Sequence, residues 1–135
     1  MNEADNVAQW LRFARLDLEN AQFLYDHRHP RPLEIICYHC QQAVEKVLKA
    51  YLVAKDIEIQ KTHDLGVLCE QCAILDVAFG DIAADCGKLT LFVIYARYPS
   101  PIEIVEQDTD LALTTATSVF TFAVERITLL QEDLP

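Results

Sequence analysis

Glycine is scarce here: the chain has three in 135 residues. No segment spells GxGxxG, a phosphate loop, HExxH or a nucleophile elbow. A glycine-built cradle around phosphate and the common hydrolase motifs therefore find no support. The longest nearly apolar run, LTLFVIYA over residues 89–96, falls well short of the roughly 20 residues that cross a bilayer as a helix. The opening stretch MNEADNVAQW has no basic segment leading into an apolar one, so a secretory signal is not expected and a cytoplasmic protein is. Basic residues are also few, 11 Lys and Arg against 21 Asp and Glu for a net charge of −10. That balance argues against generic binding to DNA, RNA or anionic membrane, which rests on basic patches.

The charge is unevenly spread. Residues 1–63 carry eight basic and nine acidic side chains, whereas residues 64–135 carry three and twelve. Any anion site should therefore lie in the first half, with His39, Lys46, Lys49, Lys61 and His63 as its natural candidates. Five cysteines without a signal read as reduced thiols. Cys37/Cys40 and Cys69/Cys72 have CxxC spacing with 28 residues between the pairs, on paper a zinc arrangement. Both pairs lie in helical patterns without knuckle glycines, and Cys40, Cys69 and Cys72 fit apolar stripes. Core packing is the better account, and neither a metal nor a cofactor is expected.

Ala, Leu, Glu, Gln and Lys dominate the long segments, so the composition favours helices. The organising stretch is CYHCQQAVEKVLKAYLVAK, residues 37–55. Ile36, Cys40, Ala43, Val44, Val47, Tyr51 and Ala54 recur at three- and four-residue spacing and predict a buried stripe. His39, Gln42, Lys46 and Lys49 step similarly and occupy an arc of roughly 80° on the other side. This polar ridge is either plain solvated surface or a site. Glu45 and Lys49 also form an i,i+4 pair in the favourable order, expected to contribute a few tenths of a kcal/mol.

Around that stretch the pattern predicts a first helix over residues 5–28 capped by Asp5 or Asn6, and a second over 33–55. A third opens at Thr62-His63-Asp64-Leu65 with Thr62 as cap and stops near Gly80. A fourth runs over 81–98, and a last one starts between 106 and 110 and ends near 131. Pro30 and Pro32, then Pro99 and Pro101, punctuate the chain. The expected fold is all-α, an up-and-down bundle of four to five helices in a single domain spanning residues 1–135. His63 is read first as bridging the bend between two helices, and Arg97 as salt-bridging nearby acids. Phe120 and Val124, off the main stripes, suggest a second buried surface of the kind a dimer provides.

Three segments in order, YHCQQAVEKVLKAYL, KTHDL and ARYP, resemble the small prokaryotic members of the HEPN domain family over nearly the whole chain. The resemblance implies a four- or five-helix bundle, usually a homodimer, with nucleotide binding. It also implies pairing with a small nucleotidyltransferase in toxin–antitoxin-type systems. Some members are metal-independent ribonucleases marked by an arginine followed, after four to six residues, by a histidine. That spacing is missing here: Arg31 and His39 have seven residues between them, and no histidine follows Arg97 or Arg126. The sequence therefore favours a non-catalytic binding module with His39, Gln42, Lys46, Lys49, Lys61, His63, Arg97 and Tyr98 as candidate binding residues and no assigned catalytic residue. A ribonuclease with an altered site and a purely structural dimerisation module are the alternatives.

Overall fold

The computed structural model describes residues 3–97 and 103–132, with side chains over 6–95 and 103–132. Five α-helices follow one another: α1 Glu3–His27, α2 Leu33–Ala54, α3 Leu65–Leu75, α4 Ala83–Arg97 and α5 Glu106–Glu132. No strand occurs among the described residues, so the all-α bundle holds. α2 is the axis of the bundle. It packs against α1, α3, α4 and α5, and α5 also reaches α1. Being surrounded, α2 is buried over most of its circumference, including Gln41, Glu45 and Lys49 as well as its apolar stripe. The single stripe read from the sequence understates this, because periodicity marks apolar positions and not the polar ones that a neighbouring helix covers.

The core runs from Ala14 and Ala21 of α1 through Val44, Val47, Leu48 and Tyr51 of α2 to Ala116, Val119, Ala123 and Ile127 of α5. Small residues on α1 and α5 let those helices approach α2 closely. Between α3 and α4 lies a short 3-10 helix, Val77–Ile82, opened by Asp76, whose carboxylate accepts the Ala78 N–H at 3.1 Å. It delivers Phe79 into the core between Tyr51 and Phe122, with ring centroids 4.5 and 4.9 Å away. α3 thus ends at Leu75 rather than at Gly80: the chain must tighten there to bring Phe79 inward.

Two cap assignments change. α1 begins at Glu3 and passes through Asp5 and Asn6, so neither is its cap. At α3 the cap is Asp64, whose Oδ1 accepts the N–H groups of Gly66 at 2.9 Å and Val67 at 3.4 Å. Thr62 instead accepts the Asp64 N–H through Oγ1. α2 closes with Asp56 at φ 60°, the Asp56 N–H donating to Val53 O and the Ile57 N–H to Leu52 O. These paired bonds satisfy carbonyls that the helix end leaves open, at a position that usually favours glycine.

All five cysteines are free and buried, as core packing requires. Burial pushes the Cys37 thiol up to about 11 and the Cys72 thiol up to about 12. No group of three or more metal-ligating side chains is present among the described residues.

Candidate functional site

The polar side of α2 divides into two networks. Toward α1, Asp17 accepts His39 Nδ1 at 3.0 Å on one carboxylate oxygen and Lys46 Nζ at 2.5 Å on the other. Asp17 is largely buried, so two side chains of the ridge are spent on tying α1 to α2. The second network is centred on Glu45, whose side chain is 5% exposed. Its Oε2 accepts Lys49 Nζ at 3.1 Å, and Lys49 is itself buried with its ammonium 5.7 Å from the Trp10 ring centre. This is an internal ion pair held by a cation–π contact. Unlike the solvated pair that i,i+4 spacing suggests, it would leave a charge stranded in a poorly solvated place if either partner were removed.

The other Glu45 oxygen, Oε1, faces the start of α3. It takes the His63 Nδ1–H at 2.8 Å and the Gln41 amide at 3.4 Å. Gln41 also donates to the His63 carbonyl at 3.1 Å, and its own oxygen receives the Gln42 amide at 2.8 Å. The imidazole of His63 is nevertheless 82% exposed. A buried carboxylate therefore fixes the orientation and tautomer of an exposed ring, leaving Nε2 outward as an acceptor when the ring is neutral. The bridging role expected of His63 and a surface role coexist in one side chain.

His63 stands at the rim of a cleft of about 380 Å³ lined by Tyr38, Gln41 and Gln42 of α2, His63 and Asp64 before α3, and Thr90, Val93 and Ile94 of α4. The volume falls in the range of small-molecule sites, with apolar walls and a few placed polar groups. The α4 wall is anchored because Thr90 Oγ1 accepts the Leu65 N–H at 3.3 Å. The register of α4 places position 97 one turn beyond Val93 and Ile94.

Of the residues singled out in the sequence, the cleft brings together Gln42 and His63. His39 and Lys46 are engaged by Asp17, and Lys49 lies behind the cleft as the partner of Glu45. Lys61 is exposed on the connection before α3, outside the cleft lining. Arg97 is the last residue of α4, its side chain not described, and Tyr98 lies outside the described residues. Tyr38, Gln41, Glu45, Asp64 and Thr90 were missed. Glu45 and Asp64 resemble ordinary helix-surface and helix-start acids in sequence, and the α4 wall carries no motif at all. Phe120 and Val124 prove to be partly buried against the core, and the Arg15 guanidinium lies 5.9 Å from the Phe120 ring centre.

The HEPN domain family matches residues 7–127. Among solved structures, the chain is similar to an archaeal HEPN homologue at 23% identity and TM-score 0.69, covering 90% of this chain and 97% of that one. It is also similar to a Thermus thermophilus protein at 24% identity and TM-score 0.70, covering 93% and 98%. At these identities the likeness is one of fold. None of the curated proteins compared matches the chain.

Proposed function

Since this chain belongs to the HEPN domain family, we propose that it is a non-catalytic, nucleotide-binding helical module whose ligand occupies the cleft between α2, the start of α3 and α4. The observation that carries this reading is the exposed His63 imidazole, fixed by buried Glu45 at the rim of a cleft of ligand size. Orienting an exposed ring through a buried ion pair is a costly arrangement for surface structure alone, and is the way preorganised sites hold their contact groups. Tyr38 offers a ring face and Gln42 an amide at the same cleft. Calorimetric titration with ATP, GTP, CTP and UTP tests the reading. Saturable binding of at least one, lost in His63→Ala while the helical circular dichroism is retained, is the expected result. Baseline heat with every nucleotide removes it.

A protein partner is the second part of the proposal, favoured by a specific surface. Phe13, Leu16 and Phe23 are exposed at 46, 42 and 62% on α1, and their spacing puts them within one narrow arc facing away from the core. Such a row suits a second copy of the chain, giving a homodimer, or a nucleotidyltransferase of a toxin–antitoxin-type pair. Light scattering after size exclusion is expected to return about twice the 15.4 kDa chain mass, and Phe23→Glu to lower it toward that mass. Ribonuclease activity is the competing reading. RNA left intact by the purified chain disposes of it, whereas cleavage lost in His63→Ala would favour it over non-catalytic binding.

A further inference from the structure

The rim of the cleft at the start of α3 is rich in acceptors, while the Tyr38 and Thr90 hydroxyls farther along the lining both donate and accept. Glu45, paired with Lys49, accepts two further donors: the His63 Nδ1–H and the Gln41 amide. Because the Gln41 amide is committed to Glu45 and to the His63 carbonyl, its oxygen must face Gln42 and take the Gln42 amide. The chain of donation thus runs outward to inward and ends with acceptors at the surface. Gln42 Oε1, the second carboxylate oxygen of Asp64 and Nε2 of His63 have no partner among the described residues; the two oxygens accept, as does the imidazole nitrogen when the ring is neutral. Asp64 Oδ1 meanwhile occupies the Gly66 and Val67 N–H groups. The amides at the start of α3 that would hold a phosphate are therefore taken, and the carboxylate that takes them repels one.

Resting on the nucleotide reading proposed above, we infer that the cleft receives the nucleoside end of its ligand, hydroxyl and amino donors facing Gln42, His63 and Asp64, with the phosphates directed away. A ribose diol presents two O–H donors, and a deoxyribose presents fewer. An acceptor-rich rim at Gln42, His63 and Asp64 consequently selects ribonucleosides over deoxyribonucleosides and is nearly indifferent to how many phosphates follow. Negative charge on the ligand gains no attraction inside it, because the acidic side chain beside His63 in the lining is the Asp64 carboxylate.

The test is calorimetric titration of the whole chain with adenosine, guanosine, cytidine and uridine and their 5′-mono- and triphosphates, followed by the 2′-deoxy form of the tightest binder. The nucleoside is expected to bind within about threefold of its triphosphate, and removal of one hydroxyl to weaken binding about tenfold, the equivalent of one well-made hydrogen bond. Asp64→Asn, which retains a capping oxygen for α3 but replaces the free acceptor with an amide donor, is expected to weaken the nucleoside about tenfold with unchanged circular dichroism. A triphosphate tighter than its nucleoside by about tenfold or more, or tighter nucleoside binding by Asp64→Asn, overturns the inference and leaves nucleotide binding itself standing. Absence of heat with every compound overturns both.

Discussion

Glu45 and Lys49 show how differently one pair of residues reads in sequence and in the folded chain. Their spacing predicts a weak surface pair; enclosure by α1 and α3 makes them an internal ion pair with His63 and Gln41 attached. Removing one partner of such a pair strands the other charge in a poorly solvated place. Glu45→Ala is therefore expected to lower the unfolding free energy by about 3 kcal/mol or more, and the double change Glu45→Leu/Lys49→Met by less than that single one. Urea denaturation of the parent, the two single variants Glu45→Ala and Lys49→Met and the double variant decides this; a double variant as damaged as the two single changes summed would mean the two residues act alone. Asp56 offers the opposite sign. Held at φ 60° and exposed at the end of α2, it is expected to gain about 0.5–1 kcal/mol of stability as Asp56→Gly, because glycine enters the left-handed region without a Cβ penalty. At this scale the sequence singled out Gln42 and His63 among its candidates, and the fold brings these two to one cleft. Glu45 behind them went unmarked, since an acid on a helix next to a lysine looks alike whether wet or enclosed.

Among the elements, the long helices were legible almost to their ends, because twenty or more residues of sustained period leave little ambiguity. The segment between α3 and α4 was not. Its course is set by Phe79 reaching Tyr51 and Phe122, a tertiary demand with no local signature, and a glycine nearby was a weaker guide than the Asp76 cap. Phe79→Ala should cost about 3–5 kcal/mol by leaving a cavity among those rings, seen as a lower melting temperature; a cost under about 1 kcal/mol would mean that the 3-10 segment packs loosely. The thiols of α2 and α3 make a pH prediction. Burial raises Cys37 to about 11 and Cys72 to about 12, from an ordinary 9.0. Above pH 9 the unfolded chain loses these protons while the folded chain keeps them, so their contribution is complete below about pH 9 and is lost as pH rises toward 11 and 12. Stability measured in urea from pH 8 to 11 should fall less steeply in Cys37→Ala/Cys72→Ala than in the parent chain. Parallel curves would contradict the assignment.

Among the described residues one helix, α2, is wrapped by four others, with its polar residues collected at two seams. The α1 seam, built on Asp17, serves cohesion. The α3–α4 seam, built on Glu45, presents an oriented imidazole to a cleft. This division accounts for the polar ridge seen in the sequence: it is neither plain wet surface nor one continuous site. The proposed cleft also lies away from the exposed apolar row of α1, so the proposed ligand and the proposed protein partner need not compete. The account's central claim is that the α3–α4 seam is the ligand site. Amide shift mapping by two-dimensional NMR during titration with the tightest-binding nucleotide tests it most directly. Perturbations clustered at residues 38–42, 63–66 and 90–94 are the predicted result, and perturbations confined to the outward side of α1, or to the Asp17, His39 and Lys46 seam, would contradict it.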